Sequence, residues 1–237
     1  MRVLVTRPQP DADDTAAELM ARGHDSVVAP LLEVTIDAPM VLDLSATQAI
    51  LVTSANGARA LAAATGRRDL PVYAVGNASA MAARASGFDR TESADGNVEA
   101  LAELVAARLS PDGGALLHVA GTVTAGDLSG MLSNAGYTVN RAVLYRAEPV
   151  PHMPAAIVES LRAGVLDAIL FYSPRTAAHF VALATDANLS SECARVAAIA
   201  LSRAVADKLD ALPFAEVRVA DSPDQFSLFR VLDGLDT

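Results

Sequence analysis

The sequence predicts an α/β protein of two similar doubly wound parallel-sheet lobes joined by a two-stranded antiparallel connector, and three observations carry that prediction. Six short apolar runs are each followed by a small or polar turn and then by helical, often Ala-rich sequence. Pieces of the first half recur in the second half in the same order. Two strand-like segments with polar residues at alternate positions interrupt the pattern, and a proline follows each.

Taken along the chain, Val3–Thr6 leads through TRPQPD into a helical pattern over Asp13–Arg22. Ala49–Thr53 leads through TSANG, Val72–Val75 through VGNAS, and Ala115–Val119 through AGTVT; Val98–Leu109 reads as a helix between the last two. Ala168–Tyr172 is followed by YSPRT and Val196–Ala200 by ALSRA. Unbroken apolar runs of this length fit strands buried on both faces of a parallel sheet. Their alternation with helices is the mark of a doubly wound fold.

Three repeats relate the halves. Ala49-Ile-Leu-Val-Thr-Ser54 recurs as Ala168-Ile-Leu-Phe-Tyr-Ser173, and Leu19-Met-Ala-Arg-Gly23 as Leu132-Ser-Asn-Ala-Gly136. The glycines of the second match, Gly23 and Gly136, suit helix C′ positions. A weaker match sets Val75-Gly-Asn-Ala-Ser-Ala80 against Ile199-Ala-Leu-Ser-Arg-Ala204. Leu32–Asp37, followed by Pro39, and Val143–Glu148, followed by Pro149, alternate as half-exposed strands do, which makes them partners for the connector. Lobe 1 is then discontinuous, residues 1–33 and 150–237, with lobe 2 at 39–142 and connector strands at 34–38 and 143–149. The expectation is a small anionic ligand in the cleft between the lobes.

Composition excludes several classes of function. Net charge is −10 and the pI about 4.7, so the clustered basic surface that neutralises nucleic-acid phosphates is missing. With 52% apolar and 19% charged residues the chain is expected to fold as a globular protein. The single Cys193, in the polar stretch SSECAR, forms no internal disulfide and has no His beside it, which points to a reducing cytoplasmic setting. No signal peptide and no membrane span is expected. HExxH, CxxC, GxSxG, Walker A and GxGxxG patterns are lacking, and His24, His118, His152 and His179 are scattered; His118 reads as a core residue of a strand. No metal and no cofactor is expected.

The motifs TRP (Thr6–Pro8), TSANGARAL (Thr53–Leu61), YAVGNASA (Tyr73–Ala80), Gly121 to Gly136 with Leu128 and Leu132 between, VLYR (Val143–Arg146) and YSPRTAAHF (Tyr172–Phe180) occur in an order that resembles the uroporphyrinogen-III synthase family over nearly the whole chain. The resemblance implies two α/β lobes on a two-stranded ladder. It implies dehydration and cyclisation of hydroxymethylbilane, an octacarboxylate linear tetrapyrrole, to uroporphyrinogen III with ring D inverted through a spiro intermediate. It implies a place in haem and related tetrapyrrole synthesis, and no cofactor. The expected partner is hydroxymethylbilane itself, with handover from hydroxymethylbilane synthase an open option, and the expected state is a monomer. The competing class is a non-catalytic two-lobed binding protein for a carboxylated tetrapyrrole.

An octa-anion on an acidic protein is reconciled by the turns, since each strand-end turn feeds a helix N-terminus with free N–H groups and a positive dipole end. The candidate substrate contacts are therefore Thr53, Ser54, Ala55, Asn56, Gly76, Asn77, Ala78, Ser79, Gly121, Ser173, Pro174, Ser202 and Arg203, together with Arg7. Ser54, Ser79 and Ser173 also read as helix caps. Arg7 either clamps a carboxylate or pairs with Asp11 or Asp13. By resemblance Tyr145 is the catalytic candidate, assisting loss of the hydroxyl; the alternative is a tyrosine that packs the connector. Two departures from the family pattern stand out. Ala200 replaces a glycine in the late turn, with Arg203 where a small polar residue is common, and Ala125 replaces a basic residue.

Overall fold

The computed structural model describes residues 1–37, 42–123 and 126–235. Pro39 and Ala125 lie outside the described residues. Contacts divide the chain into two compact units, one formed by Met1–Glu33 with Glu148–Thr237 and the other by Val34–Ala147.

The first unit holds β1 (Arg2–Val5), α1 (Asp11–Ala21) and β2 (Asp25–Val28), and resumes with α6 (Ala155–Ala163), β9 (Ala168–Phe171), α7 (Pro174–Asp186), α8 (Ser190–Cys193), β10 (Ala197–Ala200), α9 (Arg203–Ala206), β11 (Glu216–Val219) and α10 (Gln225–Asp233). The second holds β4 (Thr47–Val52), α2 (Ala55–Ala64), β5 (Val72–Ala74), α3 (Asn77–Ala85), β6 (Thr91–Ser93), α4 (Val98–Arg108), a 3-10 turn at Pro111–Gly113, β7 (Ala115–Gly121), α5 (Leu128–Asn134) and β8 (Val139–Pro149). β3 (Leu32–Ile36) lies on the edge of the second sheet.

The first sheet runs β11-β10-β9-β1-β2, and every neighbouring pair in it is parallel. The second runs β3-β8-β7-β4-β5-β6, parallel from β8 to β6. Matching β9, β10, β11, β1, β2 with β4, β5, β6, β7, β8 superposes the two strand orders, so the units share one topology with its starting point moved. The sequence repeats fall on matched places: β9 with β4, and α1 with α5. Both of those helices end in the same way. Gly23 and Gly136 adopt φ +82° and +91°, open to glycine at little cost. The next residue, His24 or Tyr137, donates back to the carbonyl of Leu19 or Leu132. That pairing closes a Schellman motif.

Alternation along the strands fills the two faces of each sheet. In the first unit Leu4, Ile169 and Phe171 pack with Ile157 and Phe180 on one side, and Val3, Val5 and Leu170 with Leu228 and Phe229 on the other. In the second, Ile50 and Val52 pack with Leu61 and Phe88, while Ala49 and Leu51 pack with Leu101 and Leu128.

The connector departs from the expectation. Its two segments do pair: Val150 donates to the Leu31 carbonyl and Asp37 to that of Leu144, an antiparallel sense because one number rises as the other falls. Yet β8 is longer than Val143–Glu148 and its first half is a full parallel partner of β7. The ladder thus extends the second sheet instead of standing apart from it. Three strands beyond the six apolar runs also appear, namely β2, β6 and β11 at sheet margins, where at least half of each strand's residues are only partly buried and no continuous apolar run is needed.

Candidate functional site

In open doubly wound sheets ligands bind where the strand order reverses, beyond the carboxyl ends of the strands. In the second unit that point lies between β4 and β7. Thr53 and Ser54 leave the end of β4, and Gly121 is the last residue of β7. Ser54, extended at φ −156° and ψ 157°, caps α2 by accepting the Gly57 N–H at 2.9 Å. Capping takes one of the four unpaired N–H groups at this helix start. Ala55 and Asn56 open the helix, and the Asn56 Oδ1 accepts from the Arg59 guanidinium at 2.9 Å.

Tyr145 comes from β8 and reaches the same point because of a bulge. Ala120 opposes Val143 but Gly121 opposes Tyr145, so Leu144 is an extra residue and both Leu144 and Tyr145 are buried. The Tyr145 hydroxyl lies 2.8 Å from the Ser54 Oγ. Its ring occupies the space that a side chain would need at Gly121 and lies in ordinary contact distance of Gly57. A Cβ on Gly121 would meet Cε2 and Cζ at 2.8 Å, and one on Gly57 would stand 3.8 Å from Cε1. The Gly121 carbonyl accepts from Arg141 at 2.8 Å.

Beside this point α3 begins. Gly76 is its cap residue, extended and without a side-chain cap. Asn77 donates to the Asp95 carboxylate at 2.6 Å, and Ala78 follows in the first turn. Ser79 does not head the helix as expected. It is the third helical residue and buried, so its hydroxyl faces the fold and not the cap position.

The first unit reverses between β9 and β1. Ser173 caps α7 by accepting the Thr176 N–H at 3.1 Å, with Pro174 as the first helical residue, matching Ser54 in the other unit. Arg7, after β1, is engaged within its own unit. It pairs with Asp11 at 3.2 Å, donates to Gln225 at 2.9 Å and to Thr15 at 3.2 Å, and lies over the Tyr172 ring at 4.3 Å. Burial raises the Tyr172 phenol above its ordinary value, and the Arg7 charge acts in the opposite sense. Tyr172 and Gln225 were not singled out from the sequence; Tyr172 stands where the matched repeat has Thr53.

The late turn is corrected by two residues. Ala200 lies within β10, paired with Phe171 and Val219, and is fully buried. The cap of α9 is Ser202, extended like Gly76 and likewise without a side-chain cap bond. Within the chain Ser202 is therefore the counterpart of Gly76, and Ala200 that of Ala74. Arg203 opens the four-residue α9, largely exposed, and pairs with Asp207 at 3.0 Å.

Among the described residues no group of His, Cys, Asp and Glu is arranged to hold a metal, and no helix is long and apolar enough to cross a membrane. His118 is buried in β7, bonded through Nδ1 to Ser129 at 3.0 Å, with Nε2 unpaired. Cys193 ends a short helix and is not in an open polar stretch; burial pushes its thiol up to about 11, which makes it a poor nucleophile. Two surface concavities, at Ala16–Met20 with His24 and at Pro151–Met153 with Leu183, include none of the strand-end residues.

A family model described as uroporphyrinogen-III synthase HemD matches residues 13–230. The chain belongs to the uroporphyrinogen-III synthase family. The uroporphyrinogen-III synthetase of Helicobacter pylori superposes with a TM-score of 0.63 at 16% identity, over 99% of this chain and 100% of that one. A mutant uroporphyrinogen III synthase of Thermus thermophilus superposes with a TM-score of 0.58 at 18% identity, over 100% and 97%. At such identities the superpositions establish the shared two-lobed fold. No curated sequence matches the chain significantly. In this member of the uroporphyrinogen-III synthase family Ser54, Gly57, Gly121 and Tyr145 come together within the second unit.

Proposed function

We propose that this uroporphyrinogen-III synthase family member is a cyclising lyase that converts hydroxymethylbilane to uroporphyrinogen III in the cytoplasm, with Tyr145 as the proton donor to the departing hydroxyl. The observation that carries the role of Tyr145 is its phenol, held at the strand-order reversal of the second unit by close packing on Gly121 and the 2.8 Å contact to Ser54. A proton passes from the phenol to the hydroxyl of the substrate, the C–O bond breaks, and water leaves behind a cationic azafulvene. That carbon is attacked by the already substituted carbon of ring D, forming the spiro intermediate. Fragmentation and reclosure on the other side invert the ring, and loss of one ring proton restores the phenol. The net change is one water lost.

Most of the work is positioning. Holding reacting ends together replaces a loss of translational and rotational freedom that otherwise slows the reaction. The substrate carboxylates are met by backbone N–H groups at Ala55 and Asn56 in α2 and at Asn77, Ala78 and Ser79 in α3, with Thr53 and Gly121 shaping the approach. In the first unit Ser173, Ser202 and Arg203 offer a second set, and Pro174, which has no N–H, shapes the start of α7. A hydrogen bond to a charged group contributes about 1.5–3 kcal/mol, so a few of them outweigh an acidic net charge. Arg7, already engaged by Asp11, supports the first unit's strand end and is not assigned a carboxylate.

The test is a coupled assay in which hydroxymethylbilane is generated in situ, the products are oxidised, and the uroporphyrin isomers are separated. Without catalysis the substrate closes to the type I isomer. Predominantly type III product is expected from this protein, with kcat lowered several-fold in Tyr145→Phe. Type I alone from folded protein overturns the reading.

A further inference from the structure

We propose that Ser54 is a positioning residue for Tyr145, resting on the reading of Tyr145 as proton donor. Ser54 accepts from the Gly57 N–H and gives its own proton to the phenol oxygen, leaving the Tyr145 O–H directed at the substrate.

A hydroxyl has one proton and two lone pairs. One lone pair of Ser54 is taken by Gly57 at 2.9 Å, and the hydroxyl's 2.8 Å neighbour is the Tyr145 oxygen, 91 residues away in sequence. When the phenol donates to a substrate oxygen, the order of donors is set throughout. Gly57 N–H donates to Ser54, Ser54 to Tyr145, and Tyr145 to the departing hydroxyl. Chains of this kind strengthen each member by polarisation. Neither end of the chain is loose, because the capping bond fixes Ser54 and Gly121 packs closely on the Tyr145 ring.

The matched serine of the other unit separates capping from this second duty. Ser173 caps α7 as Ser54 caps α2, but the hydroxyl contact it makes besides is with Thr176 Oγ1 at 2.8 Å, inside its own helix turn. Capping is thus common to both units, and the long-range contact to a tyrosine belongs to Ser54.

Ser54→Gly removes the hydroxyl while glycine caps helices within a few tenths of a kcal/mol of serine, and Ser54→Thr keeps both the cap and the proton. With hydroxymethylbilane generated in situ, Ser54→Gly is expected to lower kcat about threefold or more, short of the loss in Tyr145→Phe, with KM within about twofold and Tm lowered by about 2–4 °C. Ser54→Thr keeps most of kcat. In the Tyr145→Phe background Ser54→Gly has no further effect. Unchanged kcat in Ser54→Gly overturns the inference, and so does an equal loss with or without the Tyr145 hydroxyl. If Tyr145→Phe turns over like the unsubstituted protein, the reading of Tyr145 falls and the inference with it. A slow Tyr145→Phe beside a fast Ser54→Gly sinks the inference alone.

Discussion

Gly121→Ala places a methyl group where the Tyr145 ring now lies. The new Cβ would stand 2.8 Å from Cε2 and Cζ and 3.1 Å from the hydroxyl oxygen. These are atoms of a rigid ring in a buried cluster with Val119 and Leu144, so relief requires the ring or the backbone to move. Overpacking of this kind costs about 1–3 kcal/mol. Moving the ring also lengthens the 2.8 Å contact to Ser54, worth about 0.5–1.5 kcal/mol as a hydrogen bond. We expect a loss of about 2–3 kcal/mol in urea unfolding. A fall in kcat at least as large as that of Ser54→Gly should accompany it. Tyr145→Ala opens the space, so adding Gly121→Ala to it should cost less than adding it to the unsubstituted protein, by a coupling above about 1 kcal/mol. Full stability and full kcat in Gly121→Ala would refute the argument, as would costs that simply add.

Burial, and secondarily the nearby Arg141, hold the His118 imidazole below its ordinary 6.5. The folded protein then binds fewer protons there than the unfolded chain, so the stabilisation is present above pH 6.5 and is lost as pH falls through the lower folded value. The urea midpoint should therefore drop more steeply from about pH 7 to 5 than in His118→Phe; equal slopes would contradict this. Arg7→Met should lower the stability of the first unit by about 1–3 kcal/mol through loss of charged hydrogen bonds, with KM little changed; a raised KM at full stability would move Arg7 to the substrate. Gly23→Ala should cost about 1–2 kcal/mol for its left-handed backbone. Gly76→Ala, extended and with equally open space around its Cβ, should cost under about 0.5 kcal/mol by the same chemical denaturation.

The six central strands were legible because burial on both faces demands unbroken apolar sequence, as in Ala168–Phe171. β2, β6 and β11 were not, since Asp25, Thr91 and Glu216 begin strands at or near sheet margins where no such demand exists. The repeats pointed to one topology used twice, but the weakest slipped by two residues. Alanine-rich sequence around Ala200 carries too little shape to fix an alignment, and only the extended backbone at Ser202 reveals the true cap. Tyr145 was legible by resemblance alone. Its surroundings depend on a bulge and on glycines distant in sequence, which no local pattern encodes. Arg7 shows the converse: a lone guanidinium after a strand looks like a ligand group until Asp11, Thr15 and Gln225 are found around it.

The interruption of the first sheet bears on how the chain is assembled during synthesis. β1 must wait for its central partner, with Val3 beside Ala168 in the finished sheet. Across an unstructured 34–147 that closure would carry the entropy of a long loop. Once the second unit has folded, Asp37 and Leu144 are already hydrogen-bonded, and the effective tether between Val3 and Ala168 shrinks about threefold. Such a shortening lowers the closure cost by about 1 kcal/mol. The inserted unit, complete in sequence before β9 leaves the ribosome, thus acts as a clasp that brings the halves of its neighbour within reach.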